Sequence, residues 1–440
     1  MKTIHDATGT GAREGRIASL DVVRGLAILM VITTHNAIFP QAHGFLYAPI
    51  TIMNRIGWSG VDLFFVLSGF LVGGLLMREQ KQQNRIDAGG FLIRRASKVW
   101  PSYFVFLAAY AAVQIMDARN GGTPASRAEA LARDLWPNLL HIQNYFDSTS
   151  QIAWFWSLAV EEHFYLALPW VLKWVFNSPA DARPGAAGRR MATIFGIVAA
   201  GCLLLRWRAG LLTTPSPIKT PYIHAFPTHL RVDSLFAGVS IAYLVEFHGA
   251  FIERLRPLRY LVLAVGIVPW VVCYQLADQL QVFLYPWGLT LLYLGAACVV
   301  TFAYLAHDPR ATTGPLSLRR YVVPVIAWIG VRSYCIYVWH GYFAKPVANR
   351  LAHLVHLAPG EPGLRGWLYD AIYVAVPVLV GAAAYVLIEK PGLKLRYLLL
   401  PARDGVARRR AVAARRGPML PPLLGVQARD AAAPERRAGD

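Results

Sequence analysis

Apolar runs long enough for an α-helix to cross a hydrocarbon layer of about 30 Å recur ten times along this 440-residue chain. They lie approximately over residues 20–40, 57–77, 99–116, 154–176, 193–212, 232–251, 260–276, 284–306, 322–344 and 367–388. Lipid offers the backbone no hydrogen-bond partners, so such a chain must satisfy its peptide groups internally, and a helix does this within a single segment. The expected fold is therefore all-α, a polytopic integral membrane protein of about ten transmembrane helices. The membrane domain is expected over residues 20–395, between a short segment 1–19 and a C-terminal tail 396–440.

Charge is read within that frame. A formal net charge of +19 would by itself suggest a nucleic-acid partner. None is expected, because the 13 Trp, 20 Tyr and 20 Phe are distributed through long apolar runs and only 16% of residues are charged. A mean hydropathy of +0.39 likewise excludes an ordinary soluble enzyme. Ten spans put both termini on one side, and thirty of the 44 basic residues fall on that side, twelve of them after Ile388. Nine lie in the opposite loops and five within spans. The positive-inside rule then makes both termini cytoplasmic.

No cleavable signal peptide is expected before the first span, since residues 1–16 are polar and the apolar run after them is long and interrupted by Arg24. The four cysteines fall within spans and indicate no disulfide framework. From about Arg396 the composition turns to Ala, Arg, Pro and Gly, which reads as a disordered basic tail beside anionic membrane lipids.

Ionisable groups inside spans cost roughly 2.5 kcal/mol or more on insertion scales, so each is a candidate functional group. The first span, SLDVVRGLAILMVITTHN, sets His35 eleven residues after Arg24. Eleven helical steps make three turns plus about 20°, so the two side chains share a face and stand about 16 Å apart along the axis. Asp21, one turn earlier, shares that face. An anion-binding group near the cytoplasm and a titratable base towards the outside are thus aligned on one helix. A purely structural account stays open beside this one: Arg24 snorkels, Asp21 favours the helix N-terminus and His35 bonds a neighbouring helix.

The fourth span, in WFWSLAVEEHFY, places Glu161 and Glu162 next to His163. Consecutive carboxylates diverge by about 100°, so both avoid lipid only at a helix junction or aqueous cavity. Glu161 is the candidate for orienting a histidine or binding a sugar hydroxyl, and Glu162 for a structural ion pair. Arg231 with Asp233, Arg332 with Ser333 and His340, and Asp62 with Ser68 are read equally well as interhelical hydrogen-bond glue. Arg206 and Arg208 are expected either at the outer surface or along an acceptor site. No His or carboxylate cluster has metal-ligand spacing, so no metal is inferred.

At these residues the chain resembles the acyltransferase 3 family of polytopic bacterial membrane proteins, which O-acylate extracytoplasmic carbohydrates. The resemblance covers roughly residues 16–396 and rests on seven ordered blocks. The stretch from LDVVRG to His35 resembles the family's Arg-ten residues-His signature. GVDLFFVLSGFLV resembles its second helix, and FLIRRASKVWPSYF its basic segment before the third. HIQNYF with WSLAVEEHFYL, then LRVDSLFAG, GVRSYCIYVWHGY and LIEKPGLKL, resemble the later blocks. Lys98 stands where a second Arg is frequent, which keeps the charge and loses bidentate phosphate geometry. His163 stands where Gln is common. The hydrolase-like extracytoplasmic domain that some members carry is not expected, in favour of a stand-alone transferase.

The resemblance implies a membrane-bound O-acyltransferase moving an acyl group, acetyl foremost, from cytoplasmic acyl-CoA to a hydroxyl of a cell-surface or periplasmic carbohydrate or glycolipid. The expected location is the bacterial inner membrane. His35 is expected to be the general base, since imidazole titrates near neutral pH. Glu161 would orient it or contact the acceptor, Arg24 would meet a donor phosphate or hold the first helix in register, and Asp21, on the same face, is grouped with these catalytic residues. Arg94, Arg95 and Lys98 form a cationic patch suited to the phosphates of acyl-CoA, although anchoring under the positive-inside rule explains them equally well. A proton-coupled transporter or flippase of a sugar or glycolipid is the second reading, because buried Arg, His and Glu at two depths also suit a proton path. Against it stands the lack of an inverted repeat. A lipid-linked glycosyltransferase ranks lower, because residues 41–56 contain no carboxylate. The acceptor, the acyl group, a covalent intermediate and the oligomeric state stay open at this level.

Overall fold

The computed structural model describes residues 17–35, 48–119, 124–146, 151–177, 185–212, 225–276, 280–307, 318–358, 361 and 363–399. Residues 1–16 and the basic tail from residue 400 onward lie outside them. Among the described residues the chain is helical, with no strand. The helices are α1 (Ala18–His35), α2 (Ala48–Ile56), α3 (Gly60–Gln83), α4 (Ala88–Arg119), α5 (Pro124–Leu139), α6 (Trp156–Asn177), α7 (Ala186–Leu212), α8 (Val232–Phe247), α9 (Gly249–Arg254), α10 (Arg259–Gln275), α11 (Leu289–Leu305), α12 (Leu318–Val331), α13 (Ser333–Trp339), α14 (Ala344–Leu354), α15 (Gly363–Ala384) and α16 (Lys390–Leu399). Two π-helical segments, Leu280–Gly288 and Tyr385–Glu389, lead into α11 and α16.

Six helical stretches among the described residues are long and apolar enough to cross a membrane: Ala18–His35, Ile52–Gln83, Ala88–Asp117, Ala186–Leu211, Phe283–Leu305 and Gly363–Lys394. They coincide with the first, second, third, fifth, eighth and tenth expected spans. The ninth is broken at Arg332, where Tyr321–Val331 and Ser333–Trp339 meet at a 62° bend, and makes a seventh if both halves form one span. Three expected spans fall short. The seventh is the shorter apolar helix α10, and α8 has 16 residues. In α6, Glu161, Glu162 and Lys173 load a 22-residue helix with charge. Among the described residues six stretches, or seven with the bent pair, thus stand where about ten were expected.

The core sits where α1 packs against α12, α3 and α11, and where α3 lies along α8. The α1–α12 crossing depends on two glycines. A Cβ at Gly25 would overlap the Ile326 carbonyl, and one at Gly330 the Asp21 carbonyl. Small residues at such a crossing let backbones approach and gain dispersion contacts where lipid gives no hydrophobic drive. The close approach fixes the register of α1, and with it the depth of Arg24 and His35.

Two buried ion pairs tie α8 to its neighbours. Arg231 donates to Asp62 Oδ1 of α3 at 2.7 Å, with the Phe65 and Trp156 rings 5.5 and 5.6 Å from its guanidinium. Arg206 of α7 donates to Asp233 Oδ2 at 2.8 Å, to Thr290 Oγ1 at 2.6 Å and to the Leu230 carbonyl at 2.6 Å. Arg206 is fully buried. It therefore reaches neither the surface nor an acceptor site, the two places the sequence offered it, whereas Arg208 is exposed. Pairing with several acceptors is what makes a buried guanidinium tolerable.

Candidate active site

Three cavities succeed one another along α1. The near cavity, of about 850 Å³, is lined among others by Asp21, Arg24, Arg78, Lys98, Glu246 and Glu389. The central cavity, of only about 100 Å³, shares Arg24 and Lys98 with it and adds Ser68, Arg95, Glu161, Tyr165 and Tyr337. The far cavity, of about 670 Å³, contains His35, Trp154 and His340. A typical ligand pocket holds roughly 300–1,000 Å³, so the two ends suit ligands while the middle suits no more than a narrow chain. The eleven-residue spacing explains the layout: it carries one face of α1 from the near cavity to the far one.

The expected site residues divide between these spaces. Arg24 lies 3.4 Å from Asp21 and faces the near and central cavities, as Lys98 does. Arg95 faces the central cavity, its guanidinium 4.3 Å from the centre of the Tyr165 ring. Arg94 does not join them. It turns to Glu79 at 3.6 Å, because consecutive residues on α4 diverge by about 100°.

Glu161 also faces the central cavity, where it accepts a 2.6 Å hydrogen bond from Tyr165, whose hydroxyl lies 2.5 Å from Ser68 Oγ. His35 lines a different cavity, and the orientation of His35 by Glu161 that the sequence suggested has no counterpart in these contacts. His163 instead bonds Thr228 at 2.7 Å.

At the far end, His35 is exposed into the cavity while its Nδ1 lies 3.0 Å from the Val31 carbonyl and 3.3 Å from His340 Nε2. His340 is buried, with Nδ1 2.7 Å from the Tyr337 carbonyl. The Trp154 ring packs 6.3 Å from His35 and 5.3 Å from His340, in space that Gly341 leaves open. Gln151, Asn349, Asp117, Lys345 and Tyr342 complete the rim. Between the central and far cavities stand Tyr337 and Trp154. The Tyr337 hydroxyl donates to the Trp154 carbonyl at 2.6 Å and lies 2.6 Å from Ser157 Oγ.

Sequence reasoning overlooked Tyr165, Tyr337, Trp154 and Glu389, and read His340 equally well as interhelical hydrogen-bond glue. Neutral aromatics in apolar runs carry no signal of their own. The signal available for His340 was an imidazole near a span end at the depth of His35, and only the packing of α13 on α1 gives that meaning. Among the described residues no group of three or more His, Cys, Asp or Glu is arranged to hold a metal ion.

A family profile described as an acyltransferase domain matches residues 17–386. The peptidoglycan O-acetyltransferase OatA of Listeria monocytogenes is 27% identical over 339 residues, covering 74% of this chain and 49% of the relative. YrhL of Bacillus subtilis, named as a candidate peptidoglycan O-acetyltransferase, is 26% identical over 390 residues, covering 85% of this chain and 54% of the relative. The chain thus spans about half the length of the curated relatives it matches, and no solved structure matches it significantly. With charged and histidine-bearing cavities strung along an Arg-ten residues-His helix, and a profile match over most of its length, the chain belongs to the acyltransferase 3 family.

Proposed function

We propose that this protein is an O-acyltransferase of the bacterial cytoplasmic membrane that moves an acyl group, acetyl foremost, from acyl-CoA to a carbohydrate hydroxyl. In this reading the near cavity faces the cytoplasm and receives the donor, with Arg24 and Lys98 meeting its phosphates and Arg95 adding its charge from the central cavity beside them. The central cavity admits the thin thioester arm and excludes a sugar ring. The far cavity opens to the other side and receives the acceptor, for which the Trp154 and Tyr342 rings and the amides of Gln151 and Asn349 are suited partners. The observation that carries the proposal is the placing of a cavity that offers Arg24 and Lys98 where it meets the central one, and of a histidine-containing cavity, at the two ends of one helix. The name of the Listeria relative makes a peptidoglycan-type sugar the first acceptor to try.

In the chemical step His35 takes the proton of the acceptor hydroxyl as its oxygen attacks the thioester carbonyl. A new C–O bond forms, the C–S bond breaks, and the thiolate leaves and is protonated from the imidazolium. Such general-base assistance contributes about 10²–10⁴-fold, so His35→Ala is expected to lower transfer by that factor with normal membrane insertion. The assay follows radiolabelled acetyl-CoA in purified protein and acetyl groups on surface glycans by mass spectrometry. Normal transfer by the variant would remove His35 from the mechanism. A protein that never consumes acetyl-CoA would favour the transporter reading.

A further inference from the structure

The far cavity holds two imidazoles in contact. A carbonyl oxygen accepts hydrogen bonds and never donates them, so each short ring-to-carbonyl contact assigns a hydrogen. His340 Nδ1, 2.7 Å from the Tyr337 carbonyl, carries a hydrogen, and in the neutral ring its Nε2 is bare. His35 Nδ1, 3.0 Å from the Val31 carbonyl, carries one too, and the same hydrogen is within reach of His340 Nε2 at 3.3 Å. The nitrogen left bare on His35 is Nε2, on the ring that lines the far cavity.

We propose that His340 is a positioning residue for His35, sharing with the Val31 carbonyl the Nδ1 hydrogen of the tautomer whose bare Nε2 serves as the base. The inference rests on the reading of His35 as general base. When Nε2 takes the acceptor's proton, the Nδ1–H bond to His340 becomes charge-assisted and strengthens. That gain exists only once charge develops, so it favours the transition state over the bound substrate. Burial of His340 and the Trp154 ring against both imidazoles shield the contact on its His340 side. His340 thus has the role that a carboxylate has in a triad, without adding a charge to the cavity.

Gln and Asn separate this role from a structural one. A Gln amide reaches the position of Nε2, whereas an Asn amide reaches only that of Nδ1. The full chain is labelled with ¹⁵N-histidine, reconstituted in lipid vesicles and studied by solid-state NMR, with His35 assigned by comparison with His35→Gln. The expected wild-type result is a His35 protonated at Nδ1 and bare at Nε2. His340→Gln should keep that tautomer and most of the surface acetylation in expressing cells. His340→Asn and His340→Ala should leave the Nδ1 hydrogen on the Val31 carbonyl alone, shift the His35 ¹⁵N resonances from their wild-type positions, and lower acetylation by about tenfold or more at equal protein level.

A wild-type His35 protonated at Nε2 would overturn the proposal while leaving His35 as base, and so would equal performance by the Gln and Asn variants. Normal acetylation by His35→Ala would instead remove the base itself, and this proposal with it.

Discussion

Arg94 and Arg95 are neighbours in sequence and part company in space. One pairs with Glu79 while the other, with Lys98 and Arg24, faces the cavities. On the proposed function, Lys98→Ala should raise the KM for acyl-CoA about tenfold, the worth of one charge-assisted contact to a phosphate, and Arg95→Ala, one cavity further in, by less. Arg94→Ala should leave it unchanged. Steady-state kinetics with purified protein decides, and an equal effect at all three positions would mean that the patch acts only as diffuse charge. Arg24 and His35 were legible in sequence because their spacing is a property of one helix. His340 was not, because its contact with His35 joins residues 305 positions apart.

At the scale of elements, the register of α1 is set by the glycine crossing with α12. Gly330→Leu forces a side chain against the Asp21 carbonyl, and overpacking of this kind costs about 1–3 kcal/mol. Thermal unfolding in detergent should show the loss, together with reduced transfer as Arg24 and His35 shift. The buried pairs of α8 give a second test. Asp233→Ala leaves the Arg206 guanidinium in the interior without its carboxylate, at a cost of about 3–5 kcal/mol, while Arg208→Ala at an exposed position should be near neutral. Equal stability of the two variants would contradict a structural role for Arg206. The broken helix was read from sequence as one continuous span. Its bend at Arg332 lets Ser333, Tyr334 and Tyr337 line the central cavity, and hydropathy does not register direction.

For the whole molecule, the proposed orientation places the near cavity in the cytoplasm. Arg85, between α3 and α4, and Lys345, on the rim of the far cavity, are both exposed. A membrane-impermeant thiol reagent should therefore label Lys345→Cys in intact spheroplasts and Arg85→Cys only in inverted vesicles. Three of the four native cysteines are buried and the fourth is half-buried, which keeps the background low. Labelling of Arg85→Cys from outside would reverse the orientation and, with it, the assignment of donor and acceptor cavities.

The chain alone determined the features that local chemistry and fixed helical geometry dictate. Long apolar runs demand helices in lipid, and a spacing of eleven aligns Arg24 with His35. The tertiary structure decided everything that depends on which faces meet. It turned Arg94 away from Arg95, buried Arg206 against Asp233, and drew three cavities along α1. It also set His340 rather than Glu161 beside His35. The physical reason is that hydropathy and periodicity describe one helix against its solvent. Hydrogen bonds between helices depend on crossing geometry that small residues such as Gly25 and Gly330 permit and that many packed side chains together select.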